Sequence, residues 1–540
     1  MPLRLYNTLT KRVEDFVPRN PSDISFYSCG PTVYDDAHIG NFRSFLAADL
    51  LRRWVESPLC ELADGQGGSH RGVRKVTHVM NITDVGHMTD DGDADGAGED
   101  KMEQAAKRLT EAKKSGKIPA GVSVDPNDPY QVARFYEARF REDAKALGLK
   151  LAIEADQDPS LMPRATDNVP GMIALVQRLI AKGHAYAVGA PGSRVVYFRI
   201  KSFPGYGRLS GNTLDKLKEG EGGRIAAANQ SQKEHPADFL LWKEDPRHLM
   251  KWDSPWGWGY PGWHIECSVM SFERLARTAG STLSNAEVPN AKPIIDLHSG
   301  GEDNIFPHHE CELAQSCCAF NADPSTAPYA SMWFHPRFLM VEGAKMSKSK
   351  GNFYTPRDLF AKGIEPGALR LELIKTHYRS NANFTMQGLT DSQRMIDRWR
   401  RLGDLTIAHG DPSPATREAL DAFAASMNDD LNIAGAIAAL NTWSSKLDRP
   451  SSGDVTAIRA FDGVLGVLSL ERAKSTSSDI GIFVGGLAPD PAVIAKLEDR
   501  RAARASKDFK KSDQIRDELL AMGYAIKDAP GGKVEVSRKS

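Results

Sequence analysis

The sequence predicts an α/β protein whose parallel sheet is interrupted by an inserted region and followed by a long helical stretch. Three observations carry that expectation. A strand-loop-helix-strand unit stands near the start, an apolar strand resumes near residue 293, and strand signals largely disappear past about residue 390.

Ser25-Phe26-Tyr27-Ser28-Cys29 reads as a short strand, broken by Gly30-Pro31 and followed by a turn that reaches His38. In the helix that follows, Phe42, Phe45, Leu46, Leu50 and Trp54 keep to one face, while Arg43, Arg52 and Arg53 are expected to face water. Lys75 to Met80 supplies the next strand after a Gly-rich loop from Ala63 to Gly72. Such a unit needs a right-handed crossover and sets its first loop at the carboxyl edge of a Rossmann-like sheet, where nucleotides bind. Residues 1–150 are read as the first half of that domain. Asp90 to Asp100 is read as a mobile acidic loop, since its spacing lacks the Glu an EF-hand needs at its end. Ile173, Val176, Leu179 and Ile180 give a helical period ending at Gly183, and Arg194 to Phe203 reads as a strand. That block, 151–235, looks inserted between two sheet halves. The second half, 236–340, contains Pro293 to Leu297, an apolar strand running into Ser299-Gly300-Gly301 and a helix after Pro307. A Lys/Ser loop and its surroundings occupy 341–400, and helical runs fill 401–480. Lys474 to Asp479 and Gly485 to Pro491 are linker candidates before a small basic segment, 490–540.

With 540 residues and 41% apolar composition the chain can bury several cores, and its length suggests about three or four domains. Nowhere is there an apolar run long enough for a signal peptide or a bilayer span, so a cytoplasmic protein without membrane partners is expected. Cys29, Cys60, Cys267, Cys311, Cys317 and Cys318 show no repeated spacing, which favours reduced thiols or metal ligands over a disulfide framework. The net charge of −1 gives no general attraction to phosphate, so any nucleic-acid binding must come from local basic patches.

His38-Ile39-Gly40-Asn41 and Lys345-Met346-Ser347-Lys348-Ser349 together could grip the polyphosphate of ATP from two sides. Attack of a carboxylate on the α-phosphorus builds negative charge on equatorial oxygens and expels pyrophosphate, so it needs positioned donors and cations more than an acid or base. His38 and Asn41 stand at i and i+3 beside a helix start, where backbone N–H groups favour anions. Lys345 and Lys348 lie between Gly343 and Gly351, on a loop that can swing. A four-residue match is usually accidental and a Lys/Ser run is usually a solvated loop, but their joint occurrence after predicted strands favours a nucleotide site.

His308 and Glu312 are four apart on a predicted helix and project from one face, as in helical zinc pairs. A surface helix reading His-His-Glu-Cys-Glu, and a lone buried cysteine, would be the bland alternatives. Placement argues for a metal site, because Cys29 and the His308–Glu312 segment both follow strand ends that open onto one crevice.

The two phosphate motifs resemble the signatures of class I aminoacyl-tRNA synthetases. Cys29 to Asp35, Asn81-Ile82-Thr83-Asp84-Val85, Gly262 to Ser268 and Phe306 to Glu310 complete, in order and over nearly the whole chain, a resemblance to the cysteinyl-tRNA synthetase family. The resemblance implies one zinc ion per chain held by Cys29, Cys267, His308 and Glu312 in an amino-acid pocket lined by Trp263 and His264. It implies ATP, with Mg2+, at Thr32, Gly40, Asp303 and Lys348, with Asp303 on the ribose and Lys348 on the phosphates. His38, Asn41, Lys345 and Lys348 would stabilise the first transition state. L-cysteine, ATP and tRNA(Cys) would be the partners of a monomer.

Zinc prefers sulfur and lowers the pKa of a bound thiol from about 8.5, so cysteine can enter as thiolate while serine cannot. By the same resemblance 401–480 would be an anticodon-binding helical bundle with Asn428 to Asn432 as its landmark, and Ala502 to Gly523 would lie near the anticodon. Arg500, Arg504, Lys507 and Lys511 would line one basic helix face, with Arg501, Lys510 and Arg516 nearby. The tail Gly532 to Val536 lacks the aromatic residue often seen in relatives, and insertions near Gly65 and Lys114 and between Arg274 and Asn290 exceed the usual pattern. Three alternatives are weaker: residues 400–540 argue against a cysteine ligase acting on an amino sugar, a zinc-dependent hydrolase using Glu310 beside His309 leaves the Lys345–Ser349 motif unexplained, and a non-catalytic RNA-binding paralogue would be expected to lack one of the phosphate-gripping residues, none of which is missing.

Overall fold

A computed structural model describes residues 1–86, 101–114, 123–212, 232–276, 283, 295–323, 329–347, 351–403, 409–447, 450–470, 476–477, 480–484, 490–506, 508–529 and 533–538. Four parallel strands form the central sheet in the spatial order Ala330–Phe334, Ile295–Ser299, Asp23–Ser28, Lys75–Met80. Ile24 and Phe26 turn into one core and Tyr27 into another, so both faces of the sheet are covered. From Asp23–Ser28 the chain crosses to one side, and from Ile295–Ser299 it crosses to the other. The strand order therefore reverses between Ser28 and Ser299, which are paired in register. Open α/β sheets bind ligands at the carboxyl ends of the two strands flanking such a reversal.

The predicted helix spans Ile39–Glu56 and buries Phe42, Leu46 and Trp54 as expected. Arg43 and Arg52 do not face water; they are only 2% and 3% exposed. The reason is tertiary. Arg43 donates to the carbonyls of Arg337, Leu373, His377 and Ser380 at 2.8–3.1 Å, and Arg52 pairs with Glu56 and Glu154. Burial without an acidic partner pulls the Arg43 guanidinium down to about 10.

Between the sheet halves, Ala185–Val188, Val195–Phe198, Phe239–Glu244 and Gly259–Pro261 form an antiparallel sheet, which takes in strands on both sides of residue 235. Near Gly65, Leu62–Ala63 and Ser69–His70 pair as a small hairpin. The helices Pro414–Asn428, Ile433–Lys446 and Ser452–Leu465 pack around Phe423, Trp443 and Phe461.

Strand structure returns beyond them, against expectation. Thr476–Ser477, Gly481–Phe483, Val534–Arg538 and Tyr524–Asp528 form a sheet packed on the helices Pro491–Ala505 and Phe509–Ala521. These runs hold two to five residues, and their apolar positions are too few to stand out from loop sequence until the sheet assembles. Arg500 and Arg504 of the expected basic face both pair with Asp528, at 2.7 and 2.5 Å. Lys511 is exposed, and Lys507 lies outside the described residues. The whole acidic loop Asp90 to Asp100, and Lys348 itself, also lie outside them. Among the described residues no helix is long and apolar enough to cross a membrane.

Candidate metal and nucleotide site

Cys29 follows the strand Asp23–Ser28 directly, and its N–H donates to the Ser299 carbonyl at 2.8 Å, extending the ladder at the reversal point. Cys267 comes from the helix Trp263–Ser271, which begins where the antiparallel sheet ends at Pro261. Glu312 stands in the first turn of the helix Glu310–Phe320. His308 precedes that helix, in a wide turn, Ile305–His309, rather than in regular helix. The four donor atoms of Cys29, Cys267, His308 and Glu312 all lie within 4.8 Å of one another, and all four residues are buried. The two Sγ atoms are 3.8 Å apart, and His308 Nε2 is 2.8 Å from Glu312 Oε1.

Charge sharing holds the cluster together. Burial alone would raise Glu312, but His298 and His308 hold its carboxyl at about 2. Burial alone would lower His308, but Glu312 and Cys267 raise it to about 10. Burial and the neighbouring Cys267 push the Cys29 thiol up, whereas Cys267 falls below its ordinary value, against burial, through the Cys29 hydrogen bond and His308. The other nitrogen of His308, Nδ1, meets His264 Nδ1 at 2.9 Å, and the Trp263 ring lies 4.8 Å from the His308 ring.

His38 caps the next helix. Its Nδ1 accepts from the Asn41 N–H at 3.1 Å while Asn41 Oδ1 accepts from the His38 N–H at 3.0 Å. A Cβ on Gly40 would stand 3.0 Å from Met346 Cε, so the two signature segments touch. Lys345 is exposed on a short strand, and Asn352 holds the loop by accepting from the Ser347 N–H at 2.9 Å. Asp303 is exposed in the turn after Ile295–Ser299, over Gly301, at a point close to Ser44 of the Ile39–Glu56 helix. Thr32 bridges to Thr83 in parallel fashion beside the crevice.

The model of the family described as "tRNA synthetases class I (C) catalytic domain" matches residues 15–394, and that described as "Cysteinyl-tRNA ligase anticodon binding domain" matches 490–534. A cysteine–tRNA ligase of Salinibacter ruber is 39% identical, over 98% of this chain and 97% of its own. The chain belongs to the cysteine–tRNA ligase family. Another member, from Chlorobaculum tepidum, is 38% identical over 100% of this chain and 99% of its own, and one from Thermus thermophilus is 37% identical over 98% of each. Among solved structures, LeuRS of Agrobacterium radiobacter, in a ternary complex with tRNA and LeuAMS, shares the fold at a TM-score of 0.52 and 12% identity, covering 84% of this chain and 85% of its own.

This cysteine–tRNA ligase family chain is a class I aminoacyl-tRNA synthetase, and the other two enzyme readings and the paralogue find no support. Glu310 is unsuited to act as a hydrolytic base, because its carboxylate accepts the N–H groups of Gly207 and Ser210 at 2.9 and 2.7 Å and so anchors that loop. Sequence reasoning missed His298 and His335, and it named His309 only in the Phe306–Glu310 motif and beside Glu310 in the hydrolase reading. His298 Nε2 holds Glu312 Oε2 at 2.9 Å, His309 Nε2 lies 3.0 Å from Cys29 Sγ, and His335 Nε2 meets His309 Nδ1 at 2.6 Å. Cys29, His298, His309 and Glu312 form a second, overlapping donor set. A histidine in the segment after Pro293-Ile294-Ile295, read from the sequence as a buried strand, was the available signal, since an unpartnered polar ring is costly there.

Proposed function

We propose that this chain joins L-cysteine to tRNA(Cys) in two ATP-driven steps, as a cytoplasmic monomer: cysteine is activated as an adenylate, then passed to the 3′ end of the tRNA. One observation carries the reading, the buried Cys29–Cys267–His308–Glu312 quartet at the sheet's reversal point beside the helix that His38 caps. Its donors suit zinc. Thiolates each about 2.3 Å from one zinc ion can stand no more than about 4.6 Å apart, and the 3.8 Å between the two sulfurs lies within that limit. The alternative set has one sulfur only, and a borderline-soft ion favours two, which leaves His298 to orient Glu312 and His264 to orient His308. When bound there, zinc would take the substrate sulfur as thiolate and disfavour the harder, less acidic hydroxyl of serine.

The chain's own residues handle the phosphates. Carboxylate attack on the α-phosphorus gathers charge on oxygens, and fixed donors lower that barrier. With His38 Nδ1 and Asn41 Oδ1 engaged in the cap, the donors they turn toward phosphate are His38 Nε2 and Asn41 Nδ2. Lys345 and Lys348 supply the cations for the phosphates, Thr32 and Gly40 bound the nucleotide with its Mg2+, and Asp303 receives the ribose. Trp263 walls the amino-acid pocket. Residues 401–480 and 490–540 bind the anticodon end, with Arg501, Lys510, Lys511 and Arg516 on the exposed surface.

Pyrophosphate exchange with cysteine and with serine, followed by charging of purified tRNA, tests the reading. Cysteine-dependent exchange without charging would remove the tRNA step, and absence of exchange would remove the ligase. Cys267→Ala with unchanged zinc content and cysteine affinity would remove the metal.

A further inference from the structure

The two cysteines of the quartet come from distant elements, and their separation has to be fixed by something other than their own strand and helix. One hydrogen-bonded chain joins them. Asn81, which directly follows the strand Lys75–Met80, accepts the Gly30 N–H on Oδ1 at 2.8 Å and so fixes the peptide plane that leaves Cys29. Its Nδ2 donates to Thr83 Oγ1 at 2.9 Å, and that hydroxyl donates to Glu266 Oε2 at 3.2 Å. Glu266 is the residue before Cys267 in the helix Trp263–Ser271. Asn81, Thr83 and Glu266 are 1%, 3% and 0% exposed, so each bond is made away from water, where leaving it unmade is costly.

The direction of the chain is set by its chemistry. A carboxylate only accepts, so the Thr83 proton goes to Glu266, and the hydroxyl oxygen must then accept from an N–H. Asn81 is thereby held with its amide nitrogen toward Thr83 and its oxygen toward the Gly30 N–H, a group that can only donate. The approach leaves no room for another residue at position 30, because a Cβ there would lie 1.8 Å from the Asn81 carbonyl oxygen. From its other side Cys29 is held by the bond from its own N–H to Ser299. Three motifs separated in sequence, at Cys29-Gly30, Asn81 to Thr83 and Glu266-Cys267, meet in this one relay.

We infer that Asn81 is a positioning residue for the metal-binding quartet, acting through Thr83 and Glu266 to set the distance between the Cys29 and Cys267 sulfurs. The inference rests on the zinc reading above, but it concerns the thiols themselves and has a readout that needs no zinc. Outer partners of this kind change metal affinity by about 10- to 100-fold when removed.

The test uses the full-length protein with zinc affinity measured by chelator competition and thiol alignment by phenylarsine oxide, which bridges two neighbouring thiols with loss of water. Arsenical binding is read over the baseline of Cys267→Ala, and thermal melting reports folding. Asn81→Ala, and the nearly isosteric Thr83→Val should Asn81→Ala fail to fold, should each weaken zinc and arsenical binding by about 10- to 100-fold, while Thr83→Ser and Glu266→Gln, which keep the required donor or acceptor, stay near wild type. Folded Asn81→Ala and Thr83→Val proteins that bind both probes like wild type would overturn the inference. If wild type took no zinc while the variants still lost arsenical affinity, the metal reading would fall and the thiol-positioning role would stand.

Discussion

The backbone N–H of Ile39 donates to the carbonyl of Tyr354 at 3.0 Å. This bond joins the start of the His38-capped helix to the segment just beyond the Lys345–Ser349 motif. The His38 ring also stands edge-on to Phe353, with centroids 5.3 Å apart. Two stretches distant in sequence therefore share one wall of the crevice, and a disturbance in one reaches the other.

Gly40→Ala tests that wall. The added methyl would lie 2.9 Å from the His38 ring and 3.0 Å from Met346 Cε, so both side chains must shift. Misplacement on this scale should slow cysteine-dependent pyrophosphate exchange by at least about tenfold. Thermal stability should change little, since alanine suits a helix start. Wild-type exchange rates in the variant would show that the contact has no bearing on phosphate chemistry.

Removal of the metal should silence amino-acid activation without unfolding the chain. A strong chelator is expected to lower cysteine-dependent exchange by about 100-fold or more, and added zinc to restore it. Far-ultraviolet circular dichroism should hold steady throughout, because the sheet ladder and the packing on both sheet faces are made by the chain itself without the metal.

Arg370 is fully buried and donates to Asp49, to the Leu465 carbonyl at 2.7 Å and to the Leu147 carbonyl at 3.0 Å. It ties the Ile39–Glu56 helix to the helical bundle. Arg370→Met leaves the Asp49 carboxylate short of its nearest buried cation and should cost about 3–5 kcal/mol, read from urea unfolding. Adding Asp49→Asn should recover part of that loss. A single variant as stable as wild type would mean that Arg53 alone satisfies Asp49.

Asp454 gives a pH signature. Burial alone would raise its carboxyl, but the Thr416 hydroxyl at 2.6 Å and the Ser413 and Ser451 N–H groups at 2.8 and 2.9 Å hold it at about 2, below its ordinary 3.8. A depressed folded value means the contribution is complete above the unfolded value and is lost as pH falls through the folded one. Asp454→Asn should therefore be less stable than wild type by about 1–2 kcal/mol at neutral pH. That gap should narrow steeply between pH 4 and 2 in melting curves, and a gap undiminished at pH 2 would refute the assignment.

Much of the site was legible in the sequence because its residues sit at places that local pattern can mark. Cys29 follows a strand before Gly30-Pro31, His38 and Asn41 cap a helix, and His308 and Glu312 are one turn apart. Local rules say little about what covers a polar face. Arg43 and Arg52 fall on the stripe opposite the apolar residues, and only the later chain at Arg337, Leu373 and Ser380 shows that Arg43 is buried. The strands Gly481–Phe483 and Val534–Arg538 were missed because each is too short to show a period before its partner is beside it.

By itself the sequence determined the side-chain chemistry available: two thiols, an imidazole and a carboxylate, and two cationic or donor-rich segments. Tertiary structure decided the distances, bringing Cys29 and Cys267 to 3.8 Å and drawing His298, His309 and the Asn81–Thr83–Glu266 relay around them. The physical reason is that periodicity and capping act over a few residues along the chain. A hydrogen bond between buried side chains depends instead on how separate elements pack, and sequence spacing does not encode that packing.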